Sequence, residues 1–310
     1  MKFGLDVGVY GHLARPKFIG ELAALAESAG FYSVWLADHV VFPSTVDSRY
    51  PYNPSGRFPV PGSEPLMEPL ATMGVLVGAT RRVRIGTAVL VMPYRNPVLL
   101  AKMLITLDAF SGGRIVLGAG VGWLREEFEA LGAPPFGDRG AVTDEYIDIV
   151  KALCAGGEVA YRGRHYDFDT VLSYPPSAQR PAIPILVGGT SNAALRRTAR
   201  RGDGWLSVAL TMDRLPERVD TLRQLWNECD RTPGELRLVH KLFIDIGNER
   251  ASVYGGREPG TGTVAQILSD LGALIDLGYG EVIVRYLGDD PEAQRVQIAR
   301  FADEVASRFV

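Results

Sequence analysis

The chain has 310 residues, with 33 Lys plus Arg against 36 Asp plus Glu and a formal charge of −3. Hydrophobic residues make up 46% and charged residues 22%, the make-up of a soluble globular protein. So balanced a charge argues against a nucleic-acid or anionic-membrane binder, because both need a concentrated basic face. No run approaches the roughly 20 apolar residues that span a bilayer. The first residues, MKFGLDVGVYG, are too polar for a signal peptide, so the cytoplasm is the expected location. Cys154 and Cys229 cannot build a disulfide framework and read as core residues. No His-x-x-x-His, Cys-x-x-Cys or carboxylate-rich loop suggests a metal.

Short apolar runs of β type alternate with amphipathic helical runs along the chain. Phe3–Val9 opens the series, followed by a helix over Pro16–Ala29 that begins on a proline and closes at Gly30. Strands are then expected at Ser33–Asp38, Val83–Val89, Ile115–Ala119, Ile183–Val187, Gly204–Ser207, Leu238–Ile246 and Glu281–Arg285. Helices are expected at Ala193–Arg200, Asp213–Cys229 and Pro291–Phe309. The strands are rich in Val, Ile and Leu without strict alternation, as parallel strands buried on both faces are. Eight of them with intervening helices predict an α/β fold, a closed (β/α)8 TIM barrel, over residues 1–310 as one domain. An open doubly wound sheet would carry a dinucleotide fingerprint after its first strand, and Gly8-Val9-Tyr10-Gly11-His12 is not one. Two insertions interrupt the pattern. Residues 43–69, after strand 2, form a proline-rich loop carrying Tyr50, Tyr52 and Phe58; residues 156–177, after strand 4, read as a hairpin turned at Gly163.

A barrel builds its active site at the carboxyl ends of its strands. Asp38-His39 after strand 2 is the most informative pair there. Histidine titrates near neutrality and exchanges protons at a reacting centre, and the adjacent carboxylate suits it for orienting the ring. Of the chain's 4 histidines, His165 falls in the hairpin and His240 within a strand, which leaves His12 as a lesser pocket candidate. Gly188-Gly189-Thr190-Ser191, opening a helix after strand 5, admits two readings: a phosphate cradle at a helix N-terminus, or a plain turn with a cap. Arg285, after strand 8, is a second candidate phosphate contact. Gly118-x-Gly120-x-Gly122-Trp123 offers small residues that admit a flat ring; Trp123 either walls that space or packs beneath the next helix.

Taken in order, these stretches resemble the luciferase-like monooxygenase superfamily. The likeness runs through Ala37-Asp38-His39-Val40, Arg84-Ile85-Gly86-Thr87-Ala88-Val89-Leu90 and Arg95-Asn96-Pro97. It continues through Leu107–Arg114, Leu117–Trp123, Glu127–Gly132 and Gly188–Ser191, and ends at Gly202-Asp203-Gly204-Trp205. The resemblance implies a cofactor, coenzyme F420 or alternatively FMN, at the carboxyl mouth. It implies contacts from Asp38, His39, Thr87, Ala88, Val89, Gly120, Gly122, Gly188, Gly189, Thr190, Ser191 and Arg285. His39 and Asp38 become the catalytic candidates, with His39 as general acid or base oriented by Asp38. His12, Tyr50, Tyr52 and Trp123 become the substrate pocket. It further implies a non-proline cis peptide at Ala88–Val89. Members acting on sugar phosphates carry a glutamate where this chain has Trp123, which cannot transfer a proton. Glu126 and Glu127 are expected a helical turn away. The leading expectation is therefore an F420-dependent oxidoreductase acting on a hydrophobic small molecule, working as a homodimer with an F420 or flavin reductase as cofactor supplier. The alternatives are a reduced-FMN monooxygenase and a flavin-binding barrel without turnover.

Overall fold

The expected apolar runs pair edge to edge in chain order. The computed structural model describes residues 1–60, 62–288 and 290–309. Its barrel strands are β1 (Lys2–Asp6), β2 (Ser33–Leu36), β3 (Arg84–Thr87), β4 (Ile115–Gly120), β5 (Ile185–Gly188), β6 (Gly204–Ser207), β7 (Arg237–Ile246) and β8 (Glu281–Tyr286). All pairings between them are parallel, and β8 returns to β1 with Lys2 opposite Glu281 and Leu5 opposite Val284, so the sheet closes. Around it lie α1 (Pro16–Ser28), α2 (Pro69–Ala79), α3 (Pro97–Ser111), α4 (Arg125–Ala130), α5 (Arg139–Ala155), α6 (Asn192–Arg201), α7 (Leu215–Glu228), α8 (Val264–Asp276) and α9 (Pro291–Arg300). The protein is the (β/α)8 barrel that the alternation predicts.

Most of the core lies between strands and helices, while the barrel's own interior is filled by a smaller set that includes Trp35, Val116, Leu206 and Ile283. The Trp35 indole fits because its neighbours across the sheet are glycines. A Cβ on Gly4 of β1 would lie 2.6 Å from Trp35 Nε1, and one on Gly86 of β3 would lie 2.4 Å from Trp35 Cζ3. One large side chain thus occupies the room left by two absent ones, which is how a barrel interior reaches close packing. At the next level, Ala88 and Val89 pack against this set, and the peptide between them is cis, where the resemblance placed it.

The hairpin forms as Gly157–Arg162 and Asp167–Ser173, antiparallel and within the expected residues 156–177. Gly163 turns it for a local reason: a Cβ there would lie 2.2 Å from Glu145 Oε2, the carboxylate that accepts the N–H groups of Arg164, His165 and Tyr166. The strand boundaries move by at most three residues, most visibly where the expected Val83–Val89 run stops at Thr87 and pairing resumes at Leu90–Val91. A third excursion was not foreseen. After β7 the chain leaves the barrel over 247–260 before α8, pinned by Arg257 against Asp270.

His240 takes the structural role that its mid-strand position implied. It is 3% exposed, with Nδ1 2.8 Å from Ser207 Oγ, which in turn lies 2.9 Å from Tyr279 Oη. Burial pushes its pKa down from 6.5 to about 4. The unfolded chain therefore binds this proton before the native one does. Stability from this residue is complete above pH 6.5 and is lost as the pH falls towards 4. The amount at stake is on the order of 3 kcal/mol. Denaturant unfolding at pH 7.5 and pH 5 should show His240→Asn losing less stability on acidification than the wild type; equal losses would contradict the assignment.

Candidate active site

A cavity of ≈1110 Å³ opens at the carboxyl ends of the strands, reached by Asp38, His39, Val89, Gly120, Trp123 and Gly188 among others. His39 lies just past the end of β2 and is 7% exposed. Its Nδ1 is 2.7 Å from Glu127 Oε2 on α4. Glu127 is fully buried and accepts three further hydrogen bonds, from the backbone N–H of Val40 (2.7 Å) and Val41 (3.2 Å) and from Tyr94 Oη (2.8 Å). A carboxylate surrounded by that many donors is an acceptor only, so Nδ1 carries the proton and Nε2 is the nitrogen left for chemistry. Burial and the neighbouring Glu127 charge hold the Tyr94 hydroxyl pKa well above its ordinary value, so Tyr94 stays a donor.

This corrects the expectation that Asp38 orients His39. Asp38 faces the other way. Its two oxygens take Arg95 bidentately, Nη1 at 2.7 Å and Nη2 at 3.0 Å, and Oδ2 also accepts the Val91 N–H at 2.8 Å. Arg95 reaches on to Glu68 Oε1 at 2.6 Å, and Glu68 caps α2 through Ala71 N. Adjacent residues on a chain leaving a strand point to opposite sides; Asp38 therefore ties the strand ends together while His39 enters the cavity.

The 43–69 loop closes over this histidine. Its first part and the residues leading into it are held by two successive carboxylates of α4. Glu127 takes the amides of Val40 and Val41, and Glu126 Oε1 takes those of Asp47 (2.8 Å) and Ser48 (3.0 Å). Its last part bridges Leu66 to Tyr10. Between them Phe58 meets the His39 ring at 5.2 Å between centroids, with Trp123 at 5.9 Å and Phe42 at 5.9 Å completing an aromatic surround. Tyr50, Tyr52 and Trp123 line the cavity.

On the opposite side, Val89 presses towards two glycines. A Cβ on Gly120 would lie 2.4 Å from Val89 Cγ2 and one on Gly188 would lie 2.5 Å from Val89 Cγ1. Gly122 and Gly189 adopt φ of 80° and 105°, which other residues avoid. The carbonyls of Gly189 and Thr190 are taken by Trp205 Nε1 and Arg218 Nη2, each at 2.8 Å. Trans peptides then aim the Thr190 and Ser191 N–H groups the other way, and among the described residues neither meets an acceptor. Ser191 caps α6 through Ala194 N at 3.2 Å, so the plain-turn and cradle readings coexist. Two donors without partners, a helix N-terminus and a deep cavity fit a phosphate-bearing ring cofactor.

Three expected contacts lie elsewhere. Thr87 is buried between strands, bonded to Gly118 O and Gly118 N. His12 is exposed, 3.3 Å from Glu64. Arg285 donates to Tyr10 Oη at 2.6 Å and lies 3.6 Å from Asp6 Oδ2. None of the three lines the cavity. Arg285 shares Asp6 with Lys241, and although burial opposes it, these two cations hold the Asp6 carboxyl below its ordinary pKa. Lys241 does reach the cavity.

Residues 2–257 match the model of the luciferase-like monooxygenase family. The chain belongs to that family. It is 29% identical over 248 residues to an F420-dependent glucose-6-phosphate dehydrogenase of Amycolatopsis mediterranei, covering 76% of this chain and 68% of that one. Identity is 30% over 164 residues to an FMNH2-dependent dimethylsulfone monooxygenase of Pseudomonas putida, covering 52% and 45%. Its fold is similar to that of an F420-dependent secondary alcohol dehydrogenase, with a TM-score of 0.80, 16% identity and coverage of 99% and 98%. This is accordingly a family of oxidoreductases and monooxygenases with F420- and FMN-dependent members. Among the described residues no helix is long and apolar enough to cross a membrane.

Within this family scaffold, sequence reading missed Glu127 as the partner of His39. The signal was there, in two acidic residues at the start of a helix, but 88 residues separate Glu127 from His39 in the chain. We expect Glu127→Gln to bring an amide N–H among donors that need an acceptor. Unfolding should show a loss of about 1–3 kcal/mol. Hydrogen exchange should show faster exchange at the amides of Val40 and Val41. Unchanged exchange there would contradict the anchoring role.

Proposed function

We propose that this protein is an F420-dependent oxidoreductase acting on an apolar small-molecule substrate. The observation that carries this reading is the His39 ring, which lines a cavity with aromatic walls and has its Nδ1 2.7 Å from a buried carboxylate. The deazaflavin, when bound, supplies or accepts a hydride. Everything else falls to the chain. The Thr190 and Ser191 amides hold the phosphate, and Val89, Gly120 and Gly188 support the ring. Phe58, Trp123 and Tyr50 exclude water and pack an apolar substrate. Where a substrate carbon changes oxidation level, its neighbouring oxygen gains or loses a proton, and His39 Nε2 is the group that gives or takes it. Glu127 stabilises the imidazolium that forms when His39 is protonated, while Asp38 holds the strand ends that frame the site.

Reduced FMN is the second reading, supported by the relative in Pseudomonas putida. With it, the same aromatic lid would shield the flavin from water and a flavin reductase would supply it; an F420 reductase takes that place in the leading reading. A second copy of the chain is also part of the proposal. The face of α3 turned from the core exposes Leu99 at 58% and Phe110 at 78%, whereas Leu100, Ala101, Leu104 and Ile105 are buried inside the protomer. Sedimentation showing only monomer removes it.

Fluorescence or calorimetric titration with F420 and FMN, each oxidised and reduced, tests the cofactor. We expect F420 to bind preferentially, at micromolar affinity or better. His39→Ala should keep that affinity within about twofold and lower turnover by about 10²–10⁴. A preference for reduced FMN with oxygen consumption would overturn the first claim. Unchanged turnover in His39→Ala would overturn the second.

A further inference from the structure

A chain of contacts leads outward from the Gly188–Ser191 turn to charges that the proposed reaction does not use. On α6, Arg197 donates from Nη2 to Gly140 O at 2.8 Å and from Nε to Asp144 Oδ1 at 2.8 Å, so it braces the first turn of α5 against α6 and its charge is matched. Beside Gly140 stands Arg139, the first residue of α5. Its guanidinium lies 4.0 Å from the centroid of Phe136, and that of Arg125 on α4 lies 4.6 Å from the same centroid. Arg125, Phe136, Arg139, Gly140 and Arg197 all border the cavity.

Arg125 and Arg139 share an uncommon state. Among the described residues neither is within ion-pair distance of a carboxylate, and Arg139 Nε is buried without a hydrogen-bond partner. Burial and the nearby Arg125 charge lower the pKa of Arg139. Glu126 and Glu129 border the same rim, but Glu126 Oε1 is turned to the Asp47 and Ser48 amides, and neither carboxylate pairs with either guanidinium. Two like charges held together on one phenyl ring, with a donor left bare, are a cost that an anion removes. The Thr190 and Ser191 amides already offer a place for one phosphate, so this pair is available to a second anion further along the same ligand.

We propose that Arg125 and Arg139 form a separate subsite for carboxylates on the tail of the cofactor, beyond its phosphate. This rests on the F420 reading above and deepens it: the F420 tail carries a run of glutamate carboxylates after the phosphate, whereas FMN ends at its phosphate. The subsite thus supplies a basis for choosing the deazaflavin over the flavin. Phe136 keeps the two planar guanidiniums in place, and the N-terminus of α5 adds its positive end.

The test compares three ligands on the full chain: F420 with a tail of several glutamates, the form with phosphate and lactate but no glutamate, and FMN. At low salt the tailed form should bind at least about tenfold tighter than the tail-less one, and the advantage should shrink as salt rises. Arg125→Gln/Arg139→Gln should bind the tailed form as weakly as the tail-less one, with tail-less affinity kept within about twofold. Both residues are on the rim, and an unchanged unfolding midpoint confirms the fold of the variant. Affinity independent of tail length, with F420 still bound, overturns the subsite and leaves the F420 reading standing. Equal weakening of both forms overturns it too, because the arginines then hold the phosphate itself. Binding of FMN with no deazaflavin form bound removes the reading on which the subsite rests, and the subsite with it.

Discussion

A buried carboxylate must be surrounded by donors, and in this protein one such group organises the mouth of the barrel. Glu127 has no exposed surface and takes four hydrogen bonds: from the His39 ring, from the successive backbone amides of Val40 and Val41, and from Tyr94. Desolvating a charge is tolerable only when its oxygens are satisfied in this way. Three of these donors belong to the consecutive residues His39, Val40 and Val41 and the fourth to Tyr94, so satisfying Glu127 fixes two stretches of chain relative to α4. The ring tautomer of His39 and the residues leading into the 43–69 loop are therefore set by the same group. Anything that disturbs the loop at Val40 and Val41 also acts on the hydrogen bond that holds the imidazole.

The scaffold beneath makes that arrangement possible. Trp35 fills the barrel interior because Gly4 and Gly86 leave it room. Above it, Val89 projects towards Gly120 and Gly188, which have no side chains to oppose it. The result is a stiff floor, a cavity above it, and a rim where Arg95 locks Asp38 to Glu68. Each layer is a steric or hydrogen-bonding requirement of the layer below, which is why loops carrying the chemistry can differ while the barrel persists.

Much of this is legible in the sequence. Periodicity and β-type runs suffice for eight strands and their order, because parallel strands must be apolar on both faces. Barrel position singles out His39, and the ordered motifs locate the Gly188–Ser191 turn, Val89 and Trp123. Other features are not encoded locally. Whether Asp38 or Glu127 faces His39 depends on which way two adjacent side chains point as the strand ends, and that is decided by Arg95, 57 residues away. Arg285 lies near the carboxyl end of β8, as a ligand contact would, but Asp6 at the end of β1 and Tyr10 just beyond it claim it. Thr87 bonds to Gly118 across the sheet and so never reaches the cavity. His12 lies after the first strand, yet its side chain faces solvent and Glu64. In each case the missing information is a long-range partner, and no local pattern specifies it.

The central claim is that Glu127 fixes the proton on His39 Nδ1 and leaves Nε2 for the reacting group. With 4 histidines in the chain, a nitrogen-15 labelled sample examined by long-range proton–nitrogen correlation resolves each ring, and His39→Gln assigns its signals. The account predicts a neutral His39 protonated at Nδ1 with an unprotonated Nε2, and loss of that tautomer's preference in Glu127→Gln. A neutral His39 protonated at Nε2 in the wild type, or a tautomer indifferent to the substitution at Glu127, would contradict it.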